Sequence, residues 1–294
     1  MSALSRLSLG RYSVQGASLG GLYTSLYISE LDALLDVGLA FRAGATARRL
    51  FLSHAHLDHL GALPALLGMR GMMGGGGKPL EIYCPEGVEG ELVKSLEHLS
   101  TLHHWPLEVS CIPMRPGDEH QLRNDLWVRA LPTFHPVPSL GYLFFERVKK
   151  LKPELRGLAG AEIKERKRLA ELGEGPSVFL LEDRPRVAYL TDTLIEALKH
   201  SPEALQAELL ILECTFLSEV KPVSVARAGC HIHLDELSEW VSELENQQVL
   251  LMHFSQVHKP SEVRARCEER LGPQLGARLQ LLLPPPELGD RWWM

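Results

Sequence analysis

The sequence predicts a mixed α/β domain, and three observations carry that prediction. Apolar stretches of strand length recur along the chain, among them Leu22–Ile28, Ala33–Val37, Leu80–Cys84, Leu209–Glu213 and Val249–His253. Between them lie stretches with apolar residues at helical spacing, such as Val88, Leu92, Leu96 and Leu99. Finally, 294 residues, 45% of them hydrophobic and 23% charged, can bury a large core. The expected organisation is a single domain over residues 1–294 with a basic insertion at about 146–175.

Residues 9–37 read as two strands, Leu22–Ile28 and Ala33–Val37, after a first part interrupted by Gly16, Gly20 and Gly21. A short helix and turn over 39–49 lead to the apolar run Leu50–Leu52, and a helix follows at 60–70. Gly71–Gly77 reads as a flexible connection, because no Gly-Lys-Ser/Thr follows to make a phosphate cradle. The strand Leu80–Cys84 and a helix over 86–104 come next; His98, His103 and His104, without carboxylate or cysteine partners at ligand spacing, read as surface residues. Leu107–Pro113, Leu126–Leu131 and Leu140–Phe145 read as strands. Ser177–Leu181 and Arg186–Leu190 read as a hairpin, followed by helices at 194–199 and 202–207. Beyond the strand Leu209–Glu213, a helix at 235–245 takes Asp235 as its N-cap. After Val249–His253 the tail holds one helix and one strand, and Arg291–Met294 is expected to dock on the surface or at a subunit contact.

Composition excludes several classes. No run of eighteen apolar residues exists, so no membrane span is expected. Met1–Arg6 lacks the apolar segment of a secretory signal. Five scattered cysteines, none in a CxxC pair, read as free thiols in a reducing cytoplasm. A net charge of −6 gives no global attraction for nucleic acid, so a polyanion needs a local basic patch. One exists: Arg147, Lys149, Lys150, Lys152, Arg156, Lys164, Arg166, Lys167 and Arg168 outnumber the acidic residues of 146–175. This is either a solvated helical insertion or a phosphate-backbone contact arm.

The chemistry concentrates in Phe51-Leu-Ser-His54-Ala-His56-Leu-Asp58-His59. A strand ending in this run places His54 and His56 on one side, while Asp58 and His59 fall in the first turn of the next helix. Imidazoles and a carboxylate converging on one point are what zinc or manganese requires. Three isolated polar residues, His135, Asp192 and His253, likewise end apolar strands. Together they make seven N/O ligands for two ions: His54, His56 and His135 on one, Asp58, His59 and His253 on the other, Asp192 bridging. A bridged metal pair can hold a hydroxide nucleophile for in-line displacement.

The motif His54-x-His56-x-Asp58-His59, followed in order by His135, Asp192 and His253, resembles that of the metallo-β-lactamase superfamily. That resemblance implies a four-layer αββα sandwich. Lys78–Pro85, His135–Tyr142, Val187–Thr193 and Leu212–Phe216 are similar to segments of the tRNase Z family. This second resemblance implies a dinuclear zinc endonuclease, with manganese or another divalent metal as a substitute, that removes 3′ trailers from precursor tRNA and is a homodimer. It also implies that His231 assists the leaving group, with His233 as competitor, that Glu213 orients it, and that Asp58 handles the nucleophile's proton. Two segments depart from the family pattern: Gly16–Tyr23 stands where a proline-lysine-arginine-asparagine loop is usual, and 146–175 is shorter than the usual RNA-gripping arm. A hydrolase of small phosphodiesters such as cyclic nucleotides, and a catalytically quiet RNA- or partner-binding relative, are the competing expectations.

Overall fold

The computed structural model describes residues 4–74 and 78–292. Two seven-stranded sheets lie between layers of helices, each sheet following sequence order along its strands. The first sheet runs β1 (Ser5–Leu9), β2 (Tyr12–Leu19), β3 (Tyr23–Ile28), β4 (Ala33–Leu35), β5 (Arg49–Phe51), β6 (Leu80–Pro85) and β7 (Val109–Met114). The second runs β8 (Glu119–Gln121), β9 (Leu126–Pro132), β10 (Leu140–Leu151), β11 (Phe179–Leu190), β12 (Leu209–Glu213), β13 (Gln248–Met252) and β14 (Leu279–Leu281). Each begins antiparallel and ends parallel, the change falling at β4 in the first sheet and β11 in the second. The helices are α1 (Leu57–Leu60), α2 (Leu63–Met72), α3 (Glu89–His103), α4 (Gly160–Glu171), α5 (Glu196–His200), α6 (Val223–Ala228), α7 (Leu234–Trp240) and α8 (Pro260–Leu275).

Three apolar layers hold the sandwich together. Between the sheets, Phe51 and Tyr83 meet Tyr142, Phe144, Tyr189 and Ile211. Outside the first sheet, Leu50, Leu52 and Ile82 pack with Leu63, Leu66, Leu92 and Leu96 of α2 and α3. Outside the second, Leu210, Leu212 and Leu251 pack with Leu237, Val263 and Leu271 of α7 and α8. Successive side chains of a strand point to opposite faces. Leu210 and Leu212 therefore serve one layer and Leu209 and Ile211 the other, so a strand covered on both faces reads as a continuous apolar run. Such runs make the parallel strands legible.

Several elements differ from expectation. Where the glycines suggest a broken segment, β1 and β2 form a hairpin and Gly16 lies inside β2. A Cβ there would stand 2.0 Å from Ser25 O, so glycine is required by the close approach of β3 rather than by a turn. The predicted hairpin over 177–190 is one strand, β11, because Glu182, Asp183 and Arg184 pair across β10 instead of turning. Residues 146–151 likewise continue β10, so the basic segment begins as strand. Gly71 and Met72 finish α2, while Gly75–Gly77 lie outside the described residues. Residues 39–49 hold only a 3₁₀ turn, Gly44–Thr46. Trp292 donates Nε1–H to His258 O at 2.8 Å, a surface docking as expected; Trp293 and Met294 lie outside the described residues. Among the described residues no helix is long and apolar enough to cross a membrane, and all five cysteines are free.

Candidate metal centre

Four strands deliver the seven expected ligands at their C-terminal ends. After β5 ends at Phe51, Leu52 N donates to Tyr83 O at 2.8 Å and the extended chain carries His54 and His56. His56 then takes the N-cap position of α1, which lifts Asp58 and His59 into one helical turn. His135 follows β9, Asp192 follows β11 and His253 follows β13. Asp192 and His253 have positive φ, 44° and 60°, as does Asp36 (54°) at the end of β4. Left-handed backbone at non-glycine residues costs about 1–3 kcal/mol each and collects where a site is constrained by its surroundings. Gly38 is part of that constraint: a Cβ there would stand 1.8 Å from Asp58 O.

The ligand atoms fall into two groups. In the first, His56 Nδ1 lies 3.1 Å from His54 Nε2 and 3.2 Å from His135 Nε2, and His54 Nε2 lies 3.7 Å from Asp192 Oδ2. In the second, His59 Nε2 and His253 Nε2 are 3.3 Å apart, and Asp192 Oδ1 lies 3.4 and 3.3 Å from them. Asp58 Oδ2 completes that group at 3.5 Å from His59 Nε2 and 3.7 Å from His253 Nε2. Ligands about 2.0–2.1 Å from a tetrahedral ion are separated by roughly 3.3 Å. Both groups have this spacing, and the two oxygens of Asp192 face one group each. The residues fit two metal ions.

Outer hydrogen bonds set which ring nitrogen is free. His59 Nδ1 lies 2.7 Å from Asp36 Oδ2; a carboxylate can only accept, so Nδ1 carries a proton and Nε2 is the nitrogen left for an ion. Ser53 Oγ donates to the same carboxylate at 2.7 Å and lies 3.0 Å from His54 Nδ1, fixing that ring likewise. On the other side, Thr215 Oγ1 donates to Glu213 Oε2 at 2.5 Å and accepts from His253 Nδ1 at 3.0 Å. Gly21 N donates to Asp58 Oδ2 at 3.1 Å, and His253 N donates to Ser18 Oγ at 3.1 Å.

Residues 32–254 match the Beta-lactamase superfamily domain. The chain is 32% identical over 260 residues to the chloroplastic tRNase Z TRZ2 of Arabidopsis thaliana, covering 88% of this chain and 72% of that one. It is also 32% identical over 254 residues to tRNase Z TRZ1 of the same plant, covering 86% and 88%. It belongs to the tRNase Z family. The fold agrees: the short form of human tRNase Z superposes with a TM-score of 0.54 at 16% identity, covering 95% of both chains. The metallo-β-lactamase fold protein YhfI of Bacillus subtilis superposes at 0.60, also at 16% identity, covering 90% and 93%.

The electrostatics of this tRNase Z-family site suit a cation. Burial, aided by neighbouring imidazoles, depresses His54 to about 2, so it stays neutral as a ligand must. Burial also opposes charge on His59, but Asp192 and Asp36 outweigh it and hold that ring well above its usual value. For Asp58 and Asp192, burial is overcome by the facing histidines and both carboxyls are held well below their usual range. The negative charge that raises His59 is the charge a divalent ion would neutralise.

The two histidines left open by the sequence stand in different surroundings. His231 Nδ1 lies 3.1 Å from Glu213 Oε1, and its ring stacks on His253 with centroids 5.5 Å apart. Burial opposes its protonation, but Glu213 outweighs it and lifts the pKa to about 9. His233 is instead the N-cap of α7: its side chain accepts from Asp235 N at 3.1 Å, and Glu236 closes a capping box. The expected cap at Asp235 and the expected helix 235–245 are thus corrected to His233 and Leu234–Trp240, followed by a 3₁₀ turn. His98, His103 and His104 are exposed and outside both ligand groups. Sequence reading misses Asp36, Ser53, Tyr189 and Thr215. For Asp36 a signal exists, since it too is a lone polar residue ending an apolar strand, Ala33–Leu35.

Proposed function

We propose that the chain is a dinuclear zinc-dependent phosphodiesterase of the tRNase Z type, removing 3′ trailers from precursor tRNA. The observation that carries this reading is the pair of ligand groups joined by Asp192, with His231 held by Glu213 beside them. Divalent ions, when bound, lower the pKa of water to about 7 and neutralise phosphodiester charge. His54, His56, His135 and Asp192 would hold one ion, and Asp58, His59, His253 and Asp192 the other; zinc suits this donor set, and manganese is a substitute. Asp58, on the rim with Gly21 N–H on its carboxylate, takes the nucleophile's proton. His231, kept protonated by Glu213, donates to the departing oxygen, leaving a 3′-hydroxyl on the tRNA.

The relatives named tRNase Z support RNA as substrate. Residues 146–175 are the proposed RNA-contact arm of the single domain: Lys149, Lys152, Arg156 and Lys164 form no ion pair among the described residues, leaving their charge for phosphate. A homodimer is proposed from the family resemblance, to be measured by light scattering. The unpaired thiols fit a reducing compartment, with the cytoplasm proposed.

The test incubates zinc-loaded protein with a precursor tRNA carrying a 3′ trailer, beside bis-p-nitrophenyl phosphate. Cleavage of the RNA at the trailer junction is expected. Turnover of the small ester with an intact RNA would replace this reading with a small-phosphodiester hydrolase. Inactivity on both at full metal occupancy would replace it with a quiet binding protein.

A further inference from the structure

Beneath the metal motif two tyrosines cross between the sheets. Tyr142 and Tyr189 are paired neighbours on β10 and β11, both fully buried, and both reach from the second sheet to the first. Their hydroxyls end differently. Tyr142 OH donates to backbone, Leu52 O at 2.7 Å and Tyr83 O at 3.1 Å. Tyr189 OH donates to a side chain, Asp36 Oδ2, at 2.6 Å. That oxygen is also the one that receives His59 Nδ1–H and Ser53 Oγ–H, each at 2.7 Å, while Oδ1 takes Ser53 N–H at 2.7 Å.

We propose that Tyr189 is a positioning residue of the metal centre, acting through Asp36 on His59. A buried carboxylate serves as a fixed acceptor only if its own orientation is fixed and its charge is met by donors. Ser53 holds one edge of Asp36 from the strand end that carries the histidines. Tyr189 holds it from the opposite sheet, three residues before the bridging Asp192 on the same chain segment. The hydroxyl therefore ties two ligand sources, the Phe51–His59 motif and the end of β11, to one carboxylate. A tyrosine needed only for packing could satisfy its hydroxyl equally well on main-chain carbonyls. Tyr142 marks the contrast: equal in size and burial and adjacent in register, it spends its hydroxyl on main-chain carbonyls.

The inference rests on the metal-centre reading but not on RNA as substrate, so its test reads metal. Apo protein is titrated with cobalt(II), following the visible d–d bands, for wild type, Tyr189→Phe and Tyr142→Phe, with thermal unfolding of each apo chain alongside. Tyr189→Phe is expected to weaken one of two cobalt equivalents by about 5–10-fold and to alter its bands, less than the roughly 10–100-fold for loss of a ligand's own outer partner because Asp36 stands between. Tyr142→Phe is expected to lower the unfolding temperature while leaving both affinities within about twofold of wild type. Equal affinities in wild type and Tyr189→Phe would overturn the proposal alone, as would losses in both variants that track their unfolding temperatures. A wild type that takes up no cobalt would overturn the metal-centre reading and this proposal with it. Should Tyr189→Phe fail to fold, 3-fluorotyrosine placed at 189 keeps the shape with a stronger donor. An unchanged cobalt spectrum in that protein would be equally fatal.

Discussion

One strand, β11, belongs to two regions of opposite character. Its last four residues, Val187–Leu190, are buried on both faces and lead to Asp192 among the proposed metal ligands. Its first residues pair with the end of β10, which together with α4 makes up the 146–175 arm, and no residue of α4 is buried. At the candidate metal centre, buried Ser53, Asp36 and Thr215 hold His54, His59 and His253 from behind, so the geometry of these three rings is set without an ion or substrate. In the arm, charges meet in exposed pairs, Arg166 with Glu162 and Arg168 with Glu165, which contribute little to stability. Under the proposed function the difference separates roles: the buried end determines what chemistry is possible, and the exposed end how strongly a polyanion is held.

The contrast breaks most visibly at Asp192. Replacing it by asparagine should reduce turnover of both RNA and bis-p-nitrophenyl phosphate by roughly 10³-fold or more, since removing the bridge forfeits several kcal/mol of charge stabilisation. Metal analysis should find fewer than two equivalents bound; full occupancy with full rate would remove Asp192 from the site. His231→Ala should come next, slowing RNA cleavage by about 10²–10⁴-fold with metal content unchanged. His233→Ala should instead keep the rate and lose about 1 kcal/mol of stability or more, because it removes the cap of α7 and a buried ring. Reversal of those two results would exchange the roles of the histidines.

Legibility follows the same division. His54, His56, Asp58 and His59 are readable because four potential ligands within one short stretch have no ordinary core explanation. Asp192 and His253 are readable because a polar residue ending a doubly covered apolar strand stands out against that run, and His135 because it follows the largely apolar β9. Thr215 and Ser53 are not: a hydroxyl among other hydroxyls carries no signal until its distance to a particular carboxylate is known. His233 passes for a competitor of His231 for a related reason, since capping is decided by a single backbone N–H. The arm is legible only as charge. Its continuity with β10 and β11 is hidden because polar strands facing solvent lack the apolar run that marks a strand.

A smaller effect is expected from the arm itself. Neutralising Lys149, Lys152, Arg156 and Lys164 together with glutamine should raise KM for precursor tRNA and leave bis-p-nitrophenyl phosphate turnover unchanged. The salt dependence of RNA binding should flatten by up to about 0.7–0.9 for each phosphate no longer neutralised. Unchanged RNA affinity at every salt concentration would confine the arm to a structural role.

The smallest effect concerns how the arm is rooted, and here pH decides. Arg147 pairs with Asp183 at 2.7 Å and with Glu119 at 3.0 Å, while Arg129 reaches the same two acids at 3.1 and 2.6 Å. For Glu119, burial opposes but the two arginines prevail; for Asp183, the bond to Arg147 leads; both carboxyls are held below their usual range. A depressed folded pKa gives stability that is present above the unfolded value, about 4, and is lost as pH falls through the folded value. The unfolding temperature of wild type should therefore drop more steeply below about pH 4 than that of a Glu119→Gln, Asp183→Asn variant. Since these groups are partly exposed, 1 M salt should narrow the gap between the two curves. Curves that remain parallel from pH 7 to pH 3 would mean that the arginine cluster anchors the arm by stacking on Trp127 and Phe145 rather than by charge.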